Sequence, residues 1–191
     1  MASQPEPFLV FAAAYRDRLR RAVDAWDLAA LEKMGAVLRE ARDRGSSVLI
    51  AGNGGSAAVS IHAECDLSKT ALRDDRQPLR TRSLAANASV LTATANDHGY
   101  ESVFAHQVAI YGRPGDVLLL VSSGGNSPNV LAACRAARAL RMSVVALVGF
   151  DGGALREMAD VVVHVAAFEY GIVEDMHQAC VHLVTQWLRS G

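Results

Sequence analysis

What most constrains this chain is a unit that occurs twice: a continuously apolar run, then a turn of glycine and serine, then a helical pattern. Ser47–Ala51 (SVLIA) leads into Gly52-Asn53-Gly54-Gly55-Ser56, and Val117–Val121 (VLLLV) leads into Ser122-Ser123-Gly124-Gly125-Asn126-Ser127. A strand with no polar alternation is covered on both faces, and such strands belong to parallel sheets joined by helical crossovers. Ser143–Gly149 and Val161–Val165 are further runs of this kind, and Leu79–Leu84 is a weaker one. They alternate with helical stretches over 56–69, 87–95, 102–111, 127–140, 153–158 and 172–188. The pattern predicts an α/β fold: a three-layer, doubly wound sheet of five parallel strands.

Two helical stretches precede the first strand. Phe8, Phe11, Tyr15, Leu19 and Val23 recur at helical spacing, and Leu31, Met34, Val37 and Leu38 mark one face of a second helix that Gly45 closes. The 191 residues suit one domain, 1–191, with N-terminal helices over 1–45 and an α/β core over 46–191. The leading helices either cap the sheet or form a subunit interface. Asn96-Asp97-His98-Gly99 reads as a turn, and Arg73–Arg82 as a mobile surface loop or a lid.

Several classes of function are disfavoured. No apolar run approaches the ~20 residues that span a bilayer, and MASQPEPF carries no basic segment ahead of an apolar one. The expectation is a cytoplasmic protein without a membrane partner. Nineteen Lys and Arg against twenty Asp and Glu, with no basic stripe, argue against a nucleic-acid partner. Cys65, Cys134 and Cys180 are odd in number and widely spaced, which gives no disulfide framework.

The two turns suggest an anion site. Gly54 and Gly55 let backbone approach a ligand, and Ser56 opens a helix whose free N–H groups favour negative charge. Ser122, Ser123 and Ser127 add hydroxyl donors. Neutral, hydroxyl-rich loops suit a sugar monophosphate better than a triphosphate. His62 and Asp66, four residues apart, share a helix face, while Glu64 points elsewhere. Glu174, His177 and His182 fall on one broad face of the last helix, where His177 taken alone reads as a packing or solvent-facing residue. If the two helices meet, His62, Asp66, Glu174 and His182 assemble a set that fits either a divalent metal, zinc foremost, or an acid/base pair. Without a metal, two carboxylates so placed would repel, and one would hold a proton near neutral pH.

The runs GNGGSAAVSIHAECDL, AND at 95–97, GRPGDVLLLVSSGGNSPNV, VALVGFDGG and VEDMHQACVH resemble those of the bacterial phosphoheptose isomerases over nearly the whole chain. The resemblance implies a SIS domain and a homotetramer with sites shared between subunits. It implies conversion of sedoheptulose 7-phosphate to a heptose 7-phosphate, and one zinc per chain. Carried onto this sequence, the metal-binding histidines of the family fall on His62 and His182. Its catalytic Glu falls on Asp66, its Gln on Glu174, and its turn Asp on Asp97. Gly124 stands where a hydroxyl is usual, and the stretch around Tyr170 is altered, so the chain looks like a divergent subgroup.

These residues predict an aldose–ketose isomerase working through an enediol. Asp66 is the expected base, with Glu174 as the alternative, and His182 is acid partner or metal ligand. Ser56, Ser122, Ser123 and Ser127 would hold phosphate, and Asn53 and Asp97 sugar hydroxyls. The competing reading is a non-catalytic SIS protein that binds sugar phosphate or attends a replication initiator. Asp66, Glu174 and His182 favour the enzyme.

Overall fold

The structure, a computed structural model, describes residues 6–191. Its helices are α1 (Phe8–Asp24), α2 (Leu28–Arg44), α3 (Gly55–Cys65), α4 (Ala88–His98), α5 (Val103–Tyr111), α6 (Pro128–Ala139), α7 (Leu155–Met158) and α8 (Tyr170–Ser190). The strands are β1 (Ser47–Ala51), β2 (Arg80–Ser83), β3 (Val117–Ser122), β4 (Ser143–Val148) and β5 (Val161–His164). They form one parallel sheet in the order β2-β1-β3-β4-β5, as the buried runs predict.

Strand side chains alternate between two cores. Val48, Ile50, Leu119, Val121, Val145 and Leu147 pack under α2, α3 and α8. Leu49, Ala51, Leu118, Leu120, Ala146 and Val148 pack under α5 and α6. The chain leaves β1 towards β2 and then crosses back to β3 on the other side of β1. Connections therefore diverge at the β1/β3 boundary, and a crevice opens beyond the carboxyl ends of these strands. Both Gly/Ser turns flank it.

The two leading helices differ. α2 caps the sheet: Leu31, Met34, Leu38 and Ala41 are buried, and the guanidinium of Arg42 donates to the carbonyl of Leu188 at 2.8 Å. α1 buries none of its residues and touches the body through Tyr15, Leu19 and Ala22. Phe8, Leu9, Val10 and Phe11 stay exposed.

Two local expectations are corrected, and for the 73–82 segment one of two alternatives falls away. Residues 96–98 are the last turn of α4, which stops only at Gly99, whose φ of 84° suits a residue without Cβ. The helix expected over 56–69 ends at Cys65 and widens into a π-helical turn, Asp66–Thr70. The segment 73–79 enters β2 from the amino edge of the sheet, away from the crevice, so it is no lid. Arg73 pairs with Asp75 at 2.8 Å and donates to the carbonyl of Arg189, which ties the segment to the end of α8.

Candidate active site

The crevice is a cavity of about 440 Å³ walled by Asn53 and Ser56 from the first turn, Val121–Gly124, Asn126 and Ser127 from the second, and Tyr170 and Glu174 from α8. Ser56 and Ser123 thus sit at one end of the sheet. Gly54 is the N-cap of α3 with φ 53°, a left-handed conformation that no cap side chain accompanies. A Cβ on Gly55 would fall on the carboxylate of Glu174. Glycine there admits this carboxylate to the amino end of α3, where the helix dipole favours negative charge.

The second turn has hydroxyls to spare. Ser123 is 5% exposed, and its Oγ has no hydrogen-bond partner. A buried hydroxyl without a partner is costly, and a ligand oxygen would relieve it. Ser127 is the N-cap of α6, yet its side chain makes no cap bond, so simple capping does not explain it. The Oγ of Ser122 accepts from the N–H of Gly125 at 3.2 Å. Asn53 and Asn129 exchange amide hydrogen bonds at 2.8 Å, and the Tyr100 hydroxyl donates to the same Asn53 oxygen at 2.9 Å. That leaves Asn53 one N–H for a ligand.

A second cluster lies where α3 meets α8. The Nε2 of His62 is 3.3 Å from Oδ2 of Asp66, the Nε2 of His182 is 3.6 Å from that oxygen, and the two nitrogens are 3.1 Å apart. The π-helical turn begins at Asp66, and its Thr70 hydroxyl donates to the other carboxylate oxygen at 3.3 Å. Such turns recur at functional sites because they re-aim a side chain out of helical register. Zinc–ligand bonds of about 2.0–2.2 Å imply tetrahedral edges of about 3.3–3.6 Å. Two of the three observed separations fall in that range and the third, 3.1 Å, is slightly shorter, and two imidazoles with one carboxylate are donors that zinc accepts. The residues fit the metal.

Of the four ligands expected from sequence, the structure brings three together. Glu174 is eight residues before His182, about 12 Å along the helix, and its carboxylate faces Gly55 in the cavity. Asp97 lies exposed on α4, where it accepts from the side chain of Asn96 at 2.9 Å, and it does not line the cavity. His177 is fully buried. Glu64 does turn away, accepting the N–H of Ser83 at 2.9 Å. Reading the sequence missed Asn129, Tyr100 and Gln178, whose amide lies 3.0 Å from Nε2 of His182. The i, i+4 spacing of Gln178 and His182 was the available signal.

A strand–Gly/Ser turn–helix pair around a switch-point cavity is the architecture of a SIS domain, and the SIS domain family model matches residues 10–149. Within that class, a phosphoheptose isomerase of Rhodospirillum rubrum is 41% identical over 155 residues, covering 81% of this chain and 82% of the relative. One from Chlorobaculum parvum is 38% identical over 92% of this chain and 85% of its own. The structure of phosphoheptose isomerase GmhA from Neisseria gonorrhoeae superposes with a TM-score of 0.90 at 29% identity, covering 97% of this chain and all of that one. The chain belongs to the phosphoheptose isomerase family of SIS-domain enzymes.

Proposed function

We propose that this enzyme interconverts sedoheptulose 7-phosphate and D-glycero-D-manno-heptose 7-phosphate through an enediol. The observation that carries this reading is the placement of one carboxylate, Glu174, in the same cavity as the unpartnered Ser123 hydroxyl. The cavity of about 440 Å³ is within the usual range for small-molecule sites. Its serine-rich turn offers hydroxyls and the amino end of α6 to a phosphate. The sugar then extends towards α3 and α8, with the remaining N–H of Asn53 available to one of its hydroxyls.

Isomerisation takes a proton from the carbon beside the carbonyl and returns it to the neighbouring carbon, while the hydroxyl proton moves between oxygens. Glu174, the alternative base, would carry the carbon-bound proton; its lining the cavity, which Asp66 does not line, supports that choice. His62, Asp66 and His182 would hold zinc, which when bound supplies a Lewis acid for the C1 or C2 oxygen. A carboxylate in the same cavity as the serine-rich turn, with a histidine–aspartate cluster on the same two helices, favours catalysis over a purely binding role.

The working unit is a homotetramer of single-domain chains, 1–191, with cavities completed by neighbours. The exposed apolar row on α1 and the exposure of Phe168 and Tyr170 near the cavity support that assembly. The compartment is the cytoplasm: all three cysteines are free, and burial pushes the Cys180 thiol up to about 12. No helix among the described residues is long and apolar enough to cross a membrane.

The test follows heptose 7-phosphate formation chromatographically. Glu174→Gln should lower kcat by about 10²–10⁴-fold, since an amide cannot accept the proton, while zinc content stays unchanged. Asp66→Asn should lower zinc content as well as rate. A fully active Glu174→Gln beside a dead Asp66→Asn that retains zinc would return the role of base to Asp66.

A further inference from the structure

We infer that Asn129 and Tyr100 are positioning residues: together they fix the amide of Asn53 so that it offers the sugar an N–H and withholds its oxygen. The inference rests on the reading of this cavity as the sugar site. Three separate elements meet at this amide. Asn53 lies in the first Gly/Ser turn, Asn129 in the first turn of α6, and Tyr100 opens a 3-10 turn, Tyr100–Ser102, between α4 and α5. Asn53 lines the cavity, whereas Tyr100 and Asn129, the latter only 2% exposed, do not. Any effect of these two on the sugar therefore passes through Asn53.

The direction of the hydrogen bonds carries the inference. Asn53 and Asn129 exchange two amide bonds of 2.8 Å. A reciprocal pair of this kind survives if both amides turn over together, so by itself it leaves their polarity open. The backbone N–H of Val130, which can only donate, removes that freedom by donating to Oδ1 of Asn129 at 2.9 Å. That oxygen stays an acceptor, so Nδ2 of Asn129 faces Oδ1 of Asn53. Tyr100 adds its hydroxyl to the same Asn53 oxygen at 2.9 Å. Both lone pairs of that oxygen are then engaged, and Nδ2 of Asn53 keeps one N–H for the cavity. An N–H there stabilises negative charge developing on a sugar oxygen during enediol formation, whereas an amide oxygen in its place would repel that charge. Without the two partners, a half-turn of the Asn53 amide exchanges one for the other.

Two measurements on full-length protein test it. The first compares steady-state kinetics on sedoheptulose 7-phosphate for Tyr100→Phe, Asn129→Ala and Asn53→Ala, alone and with each of the first two added to the third. Tyr100→Phe should lower kcat/KM about three- to tenfold and Asn129→Ala about tenfold or more, the scale of weakened or lost hydrogen bonds. Added to Asn53→Ala, neither should cost anything further, because the group they position is gone. A purely structural role would carry its full loss into that background; such additivity, or an unchanged kcat/KM in Tyr100→Phe, overturns the inference. Should Asn129→Ala fail to fold, Tyr100→Phe, which removes the hydroxyl of an exposed side chain, decides alone. The second measurement needs no turnover. It follows the side-chain amide signals of Asn53 by NMR, assigned by their loss in Asn53→Asp. Rotation about the amide C–N bond should be faster in Tyr100→Phe than in the wild type, since a hydrogen bond to the oxygen strengthens the partial double bond. Equal rotation rates overturn the inference whatever the substrate is. A wild type inactive on sedoheptulose 7-phosphate, with faster rotation in Tyr100→Phe, overturns the substrate reading and leaves the positioning standing.

Discussion

His177 makes the acid limb of stability predictable. It is fully buried on α8, and neither ring nitrogen has a side-chain or backbone partner in good hydrogen-bond geometry. Burial pushes its pKa down to about 4; the Val148 backbone opposes the shift weakly, and His164 adds to it. In the unfolded chain the ring titrates at about 6.5. Between those values the unfolded state binds a proton that the native state refuses, so stability rises with pH there. The contribution is fully present above pH 6.5 and is lost as pH falls towards 4. At ~1.4 kcal/mol per unit, the span of about 2.5 units is worth about 3 kcal/mol, a large share of a typical 5–15 kcal/mol. The assay is urea unfolding of metal-free protein at one concentration, at pH 7.5 and 5.0, for wild type and His177→Leu. Other titrating groups cancel in the difference. The wild type should lose about 2 kcal/mol more than the variant over that interval. Equal losses would refute the account and place the His177 ring in contact with solvent or a proton acceptor.

Ser123→Ala should raise KM roughly ten- to a hundredfold, because a lost hydrogen bond to a charged group costs about 1.5–3 kcal/mol. Its melting temperature should not fall, since the hydroxyl has no protein partner to lose; unchanged steady-state kinetics would mean that phosphate sits elsewhere. Static light scattering at micromolar concentration should give the mass of four chains, and a monomer would refute the proposed assembly.

The sheet was legible because its strands are buried on both faces and so read as unbroken apolar runs. β2, at the edge, has the pattern RTRS and showed only as a weak signal. The turn residues Asn96 and Asp97 misled because they mark a chain reversal only when the backbone leaves the helix, and here it leaves at Gly99. The π-helical turn at Asp66 was invisible, since one widened turn leaves the four-residue spacing of His62 and Asp66 unchanged. α1 reads as amphipathic in sequence, yet the chain covers only its thin edge, so most of its apolar row lies outside the core.

Helical arithmetic separates what face-sharing alone had merged on α8. At about 100° and 1.5 Å per residue, Glu174 stands about 80° and 12 Å from His182, and Gln178 only about 40° and 6 Å. His177 is about 140° from His182, which sends one imidazole into the core and the other to the α3 contact. Asp66 and Glu174 consequently occupy different places, one in the histidine cluster and one in the cavity. Asp66 has both oxygens engaged, one by Thr70 and one by the two histidines. Glu174 makes no side-chain hydrogen bond to any described residue and faces the amino end of α3. A carboxylate held from both sides suits a fixed ligand, and one that is unheld within a cavity suits a group that must take up a proton and give it back. The two acids that set this chain apart in sequence therefore sit apart in the structure, Asp66 in the histidine cluster and Glu174 in the cavity, which is the division that the proposed roles require.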